Sequence, residues 1–364
     1  MMSSLARYPL RVLQNRLGRV PRPSWCTYLV CNRCNARCTM CDSWRIPRGV
    51  ELTPEQVGQV FAKLGSLDVV RLSGGEPFLR ADLLELAEAV LRASDPHVVH
   101  ITTNGSFPER VSEFARSFSQ PRRLRVMVSF DGLPAVHDQN RGKAVSFERA
   151  LETVRELTKL APSGVRVSAN HTIISRASLA DHAELRARLA EHGVDTQWVL
   201  AYSESSMYVR ERRGHRAQDL VVVSGYPLHP ALDPVDSLDF ALGELERVTT
   251  LDDPLLRIGK RYYVEGLVAR LRGDQRPAPQ PKCVALRSHI RLLPDGGVPV
   301  CQFNTEQVGN LLHQSLDEVW LGASGRSARA WVDRCTGCWA ECEVMPNALY
   351  SGDIVRGALR EMVR

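Results

Sequence analysis

The chain has 364 residues, of which 44% are apolar, 24% charged and 6% aromatic, and its formal net charge is +6. A chain of this length and apolar content buries a large core without cross-links, which excludes a disulfide-stabilised miniprotein and a disordered chain. The net charge is small for a chain of this size, and the basic residues form no stripe interleaved with aromatic residues. Nucleic-acid binding is therefore not expected.

Residues 1–23 are predicted to form a basic N-terminal helix in which leucines alternate with arginines. The residues concerned are Leu5, Leu10, Leu13, Leu17, Arg7, Arg11, Arg16 and Arg19. The segment lacks the apolar run and the cleavage site of a signal peptide. No stretch of the chain reaches the roughly 18 consecutive apolar residues of a membrane span. We therefore expect no membrane span and a cytoplasmic location, where thiols stay reduced.

Strands and helices are predicted to alternate over residues 24–204. Short apolar runs predict strands at residues 26–30, 68–72, 98–102, 124–130, 165–174 and 197–201. Helical spacing predicts helices at residues 54–64, 82–92, 108–118, 147–160 and 180–192, the first with Thr53 as its N-cap. Several strands are apolar without alternation, which is typical of parallel strands covered on both faces.

These repeats, about six in number, predict an α/β fold built as a partial (β/α)6 TIM-like barrel, with a doubly wound sheet as the alternative. Polar or glycine-rich segments follow the strand ends at residues 34–41, 74–77, 103–105, 129–132 and 202–204. Because both folds place function at the carboxyl ends of parallel strands, we expect the site at this edge.

The regular alternation stops after residue 204. Residues 205–281 are predicted to form a connector of loop and helices, with helices near residues 235–248 and 255–272 and a proline-rich end at residues 273–281. Residues 282–364 are predicted to form a small C-terminal domain that contains the second group of cysteines.

The ten cysteines fall into two groups separated by some 240 residues. In the first group, Cys34, Cys38 and Cys41 form a CxxxCxxC motif just after the first strand. Three thiolates this close can hold one inorganic cluster, and they are one fewer than a [4Fe–4S] cluster needs, which leaves one iron open to a small molecule. The alternative is a four-coordinate zinc site with Cys31 as a fourth ligand. Otherwise Cys26 and Cys31 are expected to be ordinary buried thiols.

Three motifs together resemble the radical S-adenosylmethionine (SAM, AdoMet) superfamily. They are the CxxxCxxC motif, the sequence GGEP at residues 74–77 after the second strand, and SFDG at residues 129–132 after the fourth. The sequence at residues 131–151 is similar to members that carry SPASM or twitch extensions at the C-terminus.

The resemblance implies a partial (β/α)6 barrel in which Cys34, Cys38 and Cys41 hold a catalytic [4Fe–4S] cluster whose open iron binds AdoMet. It implies an AdoMet-binding set consisting of Met40, Gly74, Gly75, Glu76, Pro77, Ser129, Asp131 and Arg141. The GGEP residues would bind the amine of AdoMet. Ser129 and Asp131 would contact its ribose or its carboxylate, and Arg141 would pair with its carboxylate. The family usually has an aromatic residue where Met40 stands, and a thioether can still pack on adenine.

The C-terminal cysteines resemble the pattern of SPASM and twitch modules, in which a hairpin carries two cluster ligands. The residues of this pattern are Cys283, Gly296, Cys301, Cys335, Cys338 and Cys342. Two further clusters would need eight cysteines, so one auxiliary [4Fe–4S] cluster is expected. A twitch arrangement would use the first four cysteines and leave Cys342 over. A SPASM arrangement would use Cys342 and begin a second cluster on Cys335 and Cys338. A zinc knuckle is the alternative to a cluster.

The resemblance implies reductive cleavage of AdoMet to a 5′-deoxyadenosyl radical, which abstracts hydrogen from a substrate C–H bond. An electron donor such as flavodoxin or ferredoxin is the implied partner. If the auxiliary cluster takes an electron from the substrate radical, the outcome is dehydrogenation or cross-linking. If a thiol returns a hydrogen, the outcome is epimerisation, and Cys342 is a candidate donor. A non-catalytic metal or electron-transfer protein is the alternative from another class, and it leaves the GGEP motif unexplained.

The substrate is expected to be a small molecule such as a sugar, a cyclitol or a lipid-linked headgroup. Relatives that modify ribosomal peptides often carry an N-terminal leader-binding domain, whereas only 25 residues precede the first predicted strand. A peptide maturase is the alternative. A basic segment is expected either to bind a phosphate or carboxylate or to be solvated, and it contains Arg210, Arg212, Arg213, His215 and Arg216. Tyr202, Glu204 and His171 are the predicted polar contacts to the substrate.

Overall fold

The computed structural model describes residues 4–203, 226–335 and 337–355. Helix α1 (Ser4–Arg16) precedes six strands, which are β1 (Trp25–Cys31), β2 (Val69–Gly74), β3 (Val98–Thr103), β4 (Leu124–Phe130), β5 (Arg166–Ile173) and β6 (Asp195–Leu200). The helices between them are α2 (Pro54–Leu64), α3 (Leu83–Ser94), α4 (Pro108–Ser117), α5 (Pro134–Arg141), α6 (Ser146–Thr158), α7 (Arg176–Ala180) and α8 (His182–Ala190). All six predicted strands are present, whereas α5 was not predicted and the helix predicted at residues 180–192 is replaced by α7 and α8.

The C-terminal part begins with two long helices, α9 (Pro234–Thr249) and α10 (Pro254–Leu271). It continues with β7 (His289–Leu292), β8 (Gly297–Pro299), β9 (Gln307–Asn310), α11 (Leu316–Leu321), α12 (Ala323–Arg334) and α13 (Glu341–Ser351). Gly296 adopts a φ of +85° in the tight turn between β7 and β8, a conformation that glycine reaches without a steric penalty. This turn contains the glycine of the predicted pattern, and the antiparallel hairpin is formed by the next two strands, β8 and β9.

Seven parallel strands form the main sheet, in the order β6-β5-β4-β3-β2-β1-β7. From β1 to β6 each strand pairs with the one before it, so the order never reverses as it does in a doubly wound sheet. The fold is therefore the predicted partial barrel. Strand β7, which lies in the predicted C-terminal domain, pairs with β1 and extends the same sheet.

The prediction that several strands are buried on both faces holds for β1, but β2, β3 and β6 are buried on one face only. Along β2, Val70 and Leu72 are buried against the helices, whereas Arg71 and Ser73 between them are partly accessible. Strands β3 and β6 show the same alternation. The side chains that point into the barrel therefore line an open space, and several are polar, unlike the apolar layers that fill a closed barrel.

Local sequence signals explain several element ends. Thr53 caps α2 as predicted, since its hydroxyl accepts from the Gln56 N–H while the Gln56 side chain accepts from the Thr53 N–H. This reciprocal pair satisfies two donors that a helix N-terminus otherwise leaves unpaired. Pro54 occupies the first helical position, where its missing N–H has no cost.

Helix α1 packs against α13 and ties the N-terminus to the C-terminal part. The buried Asn15 amide donates to the Ser288 hydroxyl (2.7 Å) and to the Tyr350 carbonyl (3.0 Å). The leucines Leu10, Leu13 and Leu17 remain exposed. Across the described ranges, no helix has the length and apolar character needed to cross a membrane.

Candidate active site

A cleft of about 1530 Å³ opens at the carboxyl ends of the strands, between the barrel and the C-terminal elements. Many of the residues predicted from the sequence line it, namely Cys34, Cys38, Met40, Cys41, Gly74, Gly75, Ser129, Arg141, Tyr202 and Cys342. Four others, Glu76, Pro77, Asp131 and His171, are buried beside the cleft and do not line it. The predicted edge of the sheet is thus the site, with some side chains in supporting positions.

The loop that carries the CxxxCxxC motif leaves β1 and is fixed to the end of α5. The Arg37 N–H donates to the Arg141 carbonyl (2.9 Å), and the Thr39 N–H donates to the Asn140 carbonyl (3.1 Å). These two backbone bonds hold the loop at the cleft, which all three cysteines line. Helix α5, which the sequence prediction missed, therefore positions the predicted ligands.

These cysteines are costly to ionise as free thiols. Burial raises the pKa of Cys38 to about 11, although Arg141 acts in the opposite direction, and burial raises the pKa of Cys41 to about 12. Cluster ligation requires thiolates, so a cationic iron centre must supply the charge that stabilises them. Three half-buried cysteines that line one cleft fit a cluster with an open iron.

Gly74 and Gly75 are needed because two segments of backbone meet here. A Cβ on Gly75 would lie 1.9 Å from the Arg33 carbonyl oxygen, and a Cβ on Gly74 would lie 2.2 Å from that of Cys31. The Gly75 N–H donates to the Cys31 carbonyl (2.9 Å). The close approach predicted for these glycines is thus made to the cysteine loop, which they seat against the end of β2.

Glu76 occupies a different position from the one expected for a group that contacts the AdoMet amine. Its carboxylate is 1% exposed and accepts from the Phe78 N–H (3.1 Å), the Thr103 hydroxyl (2.8 Å) and the Asn104 N–H (2.7 Å). Burial raises the pKa of Glu76, while these bonds act to lower it. The carboxylate therefore ties the end of β2 to the end of β3 and positions Asn104, whose amide lies 3.9 Å from the Cys34 sulfur.

Asp131 and Arg141 form a buried ion pair at the base of the cysteine loop. The Arg141 Nε lies 2.5 Å from Asp131 Oδ2, and its Nη2 lies 2.8 Å from Oδ1. The Asn140 amide also donates to Asp131 (2.7 Å) and contacts the Met40 sulfur (3.5 Å). Asp131 was expected to contact AdoMet, but in this arrangement its carboxylate holds Arg141 in the cleft wall. Arg141 is therefore a fixed cation and not a solvated loop charge.

His171 does not face the cleft, contrary to the prediction. Because side chains alternate along β5, Asn170 and Thr172 line the cleft and His171 points to the opposite side. Its Nδ1 lies 2.9 Å from Nδ1 of His182, and burial lowers its pKa to about 4. Tyr202 does line the cleft, and its hydroxyl accepts from the Gln302 amide (2.6 Å). The predicted contacts Glu204, Arg210, Arg212, Arg213, His215 and Arg216 lie outside the described residues.

The five C-terminal cysteines are divided between two cavities. A pocket of about 690 Å³ behind the cleft is lined by four of them, Cys283, Cys301, Cys335 and Cys338. Within the described ranges, no three His, Cys, Asp or Glu side chains are close enough to hold one metal ion, and this applies to the cysteines of both cavities. Four thiols around a larger pocket suit a cluster, and they are the four of the twitch arrangement.

Cys342 lies in the cleft and is separate from the other four cysteines. Its sulfur contacts the Gln302 amide oxygen and lies 3.8 Å from the Arg291 guanidinium. Burial raises the pKa of Cys342 to about 11, with Arg291 acting in the opposite direction. The thiol is therefore protonated at neutral pH and carries a hydrogen on the cleft wall.

Several cleft residues were not predicted. Arg71 pairs with Glu341 (3.5 Å), and Arg291 pairs with the buried Glu343 (2.6 Å). The sequence contained a signal for both arginines, because each lies between apolar residues of a short strand, Val70 and Leu72 for Arg71 and Ile290 and Leu292 for Arg291. A charge in such a place needs a partner or a polar cavity. The acidic partners both come from α13, which no local pattern connects to the strands.

Two family profiles match the chain. The profile of the radical SAM superfamily matches residues 28–189, and that of an iron–sulfur cluster-binding domain, SPASM, matches residues 283–339. The chain belongs to the radical SAM superfamily and carries a C-terminal SPASM module. Its cofactors are S-adenosylmethionine and [4Fe–4S] clusters, and the grouping of cysteines around the two cavities fits both kinds of cluster.

Curated relatives match this radical SAM protein over different lengths. GTP 3′,8-cyclase of Aquifex aeolicus is 31% identical over 152 residues, covering 39% of this chain and 45% of the relative. Pre-heme d1 synthase of Dinoroseobacter shibae is 30% identical and covers 52% of this chain and 48% of the relative. The mycofactocin maturase MftC of Mycobacterium tuberculosis is 28% identical, covering 83% and 71%. The chain thus spans about half the length of the first two.

Solved structures share the fold at low sequence identity. The complex of anSMEcpe with AdoMet and the Cp18Cys peptide has a TM-score of 0.60 and 16% identity, covering 94% of this chain and 98% of that one. Streptococcus suis SuiB bound to the precursor peptide SuiA has a TM-score of 0.60 and 13% identity, covering 88% and 69%. These matches confirm the architecture of a partial barrel with a C-terminal extension.

Proposed function

We propose that this radical SAM enzyme inverts a carbon centre in a polyhydroxylated small molecule, with Cys342 as the hydrogen donor. The observation that carries the proposal is the position of Cys342. It lines the same cleft as the CxxxCxxC cysteines, while the other four C-terminal cysteines line a separate pocket. A protonated thiol facing a site of hydrogen abstraction is the group that an epimerase needs.

The residues that would hold the cofactors follow from the two cavities. Cys34, Cys38 and Cys41 would hold the catalytic cluster, and the four cysteines of the rear pocket would hold the auxiliary one. When bound, the catalytic cluster and AdoMet supply a 5′-deoxyadenosyl radical that removes one hydrogen atom from a substrate carbon. Arg141, held by Asp131, would pair with the AdoMet carboxylate. Gly74, Gly75 and Ser129 line the same part of the cleft and would contact AdoMet.

Cys342 would complete the reaction by closing the open valence of the substrate carbon. Its S–H bond breaks, a C–H bond forms on the opposite face of that carbon, and a sulfur-centred radical remains on Cys342. One electron from an external donor of the flavodoxin or ferredoxin type and one proton from solvent restore the thiol. The Arg291 guanidinium, 3.8 Å from the sulfur, would stabilise the thiolate formed if the electron arrives before the proton.

The interior of the barrel favours a neutral, hydroxyl-rich substrate. Hydroxyl and amide side chains line it, namely Thr27, Ser73, Thr102, Ser129, Asn170 and Thr172. Among the described residues, three arginines line the cleft and each is paired, Arg71 with Glu341, Arg141 with Asp131 and Arg291 with Glu343. Because their charge is neutralised, hydrogen bonding and not anion binding dominates the wall. A sugar or cyclitol headgroup matches this inventory.

The proposal is tested by incubating the reduced holoenzyme with a panel of sugars and cyclitols and measuring deoxyadenosine and epimer together. Wild type and the control variant Cys26→Ala, which removes a buried thiol outside the cleft, should form both. Cys342→Ala should form deoxyadenosine without epimer. Epimer formation by Cys342→Ala, or a product two hydrogens lighter from the wild type, would contradict the proposal, the second result indicating dehydrogenation.

A peptide maturase is the second candidate. The structural neighbours anSMEcpe and SuiB were solved with peptides bound, and the relative MftC is named a maturase. A short gene encoding a precursor peptide beside the gene for this chain would support this candidate. Modification of that peptide by the holoenzyme, with no turnover of any polyol in the panel, would replace the first proposal.

A further inference from the structure

A third cavity lies at the open edge of the barrel. Strands β6 and β7 are the two edge strands of the main sheet. They are not hydrogen-bonded to each other, so the barrel is open between them. Helices α10 and α13 lie beside β6, and a cavity of about 840 Å³ remains between these three elements. We call it the side pocket.

The side pocket is largely apolar, unlike the catalytic cleft. Its walls include Trp198 from β6, Val248 from α9, Leu256 and Val264 from α10, and Met345 from α13. The basic residue at its border, Lys260, is already bound to Asp195 (2.7 Å). An apolar cavity bordered by a few polar groups is the usual form of a site for a hydrocarbon group.

The side pocket borders the catalytic cleft at one residue and is open to the exterior. Glu341 lines both cavities, and its pairing with Arg71 neutralises its charge at the junction. At the outer end, Leu255 is 81% exposed. A Cβ built on Gly259 would meet no atom within 4 Å, so the backbone of α10 leaves free space there. A ligand in the side pocket would thus lie next to the cleft, with Glu341 between the two, and would extend outward along α10.

We propose that the side pocket binds a linear alkyl chain attached to the polar group that reacts in the cleft. The substrate would then be an amphiphile, such as a glycolipid or another lipid-linked headgroup. This inference rests on the proposed function for the nature of the polar group. The hydrocarbon chain would contribute binding energy through burial of its methylene groups, away from the reacting carbon.

The test uses 12-bromododecanoic acid as the probe and tryptophan fluorescence of the anaerobic holoenzyme as the signal. Bromine at the chain end quenches an indole that it touches, and Trp198 lines the side pocket. Saturable quenching is expected in the wild type and should be reduced in Trp198→Phe. Octyl glucoside should displace the probe, whereas glucose at the same concentration should not, because only the former carries a chain.

The side pocket is closed by Gly259→Phe, whose ring would enter the free space. Gly243→Phe is the matched control, since Gly243 also lies in a helix with no atom within 4 Å of a built Cβ and does not line the side pocket. Both substitutions replace a glycine by phenylalanine within a helix, so they raise helix propensity by a similar amount. Gly259→Phe should bind the probe roughly tenfold more weakly, as expected if about two methylene groups are excluded. Gly243→Phe should bind like the wild type, and circular dichroism should confirm that both fold.

Equal quenching in Gly259→Phe and wild type, no saturable quenching at all, or no displacement by octyl glucoside would overturn the proposal. These binding results are independent of turnover. If the probe binds as expected while Cys342→Ala still forms epimer, the side pocket is supported and the proposed function fails. If epimer formation depends on Cys342 but the probe does not bind, the proposed function is supported and the side-pocket proposal fails.

Discussion

The variant Glu76→Gln distinguishes two roles for the buried carboxylate. In one the carboxylate binds AdoMet, and in the other its hydrogen bonds hold the end of β2 against the end of β3. The substitution keeps the shape and replaces one oxygen by an NH2 group. The remaining oxygen can keep the bonds from the Phe78 N–H and the Thr103 hydroxyl, which both reach Oε1. At the position of Oε2 the new NH2 faces the Asn104 N–H, so two donors meet where a 2.7 Å hydrogen bond existed. Losing a hydrogen bond to a charged group costs about 1.5–3 kcal/mol.

We therefore expect the free energy of unfolding of Glu76→Gln to fall by about 2 kcal/mol in the absence of AdoMet. The assay is urea unfolding followed by circular dichroism, with Glu148→Gln as the control because Glu148 is an exposed carboxylate on α6. AdoMet affinity is measured on the same samples by calorimetry. Unchanged unfolding with a large loss of AdoMet affinity would refute the bracing role and restore the direct contact predicted from the sequence.

Three further results are expected. Cys338→Ala should lower the iron content from about eight to about four per chain, while keeping deoxyadenosine formation and losing product, whereas Cys342→Ala should keep all the iron. Equal iron loss in both variants would contradict the division of the cysteines. Gly75→Ala should prevent retention of the catalytic cluster, because its Cβ would lie 1.9 Å from the Arg33 carbonyl oxygen, whereas Gly49→Ala, which meets no atom, should retain it. Since the pKa of the Cys342 thiol is raised to about 11, its S–H form persists as the pH rises, and the ratio of epimer to deoxyadenosine should stay constant from about pH 7 to about pH 9. A fall in this ratio with a midpoint near the ordinary pKa of a thiol would contradict the raised pKa of Cys342.

Local sequence patterns predicted the strands and the cysteine loop well because each depends on residues close together in the chain. The strand 124–130 is an apolar run between polar turns, and the structure places β4 at the same residues. The CxxxCxxC motif needs only eight consecutive residues to bring three cysteines to one cleft. Glycines 74 and 75 were recognised as places of close approach, although the segment that approaches them was not foreseen.

The roles of Glu76, Asp131 and His171 could not be derived from the same patterns. Each lies at or near a strand end in a motif, but whether its side chain faces the cleft depends on the parity of the strand and on partners from distant segments. Asp131 is turned toward Arg141 by α5, and His171 lies one position away from the residues that face the cleft. The division of the C-terminal cysteines was likewise undecided, because α13 had to be placed before Cys342 could be assigned to a cavity.

The mass of the product formed in D2O decides whether Cys342 returns the hydrogen. A thiol exchanges its hydrogen with solvent, so the wild-type holoenzyme should yield an inverted product that carries one deuterium at the inverted carbon. Cys342→Ala should yield deoxyadenosine and no deuterated product. A wild-type product without deuterium, or the same deuterated product from Cys342→Ala, would contradict the role of this cysteine.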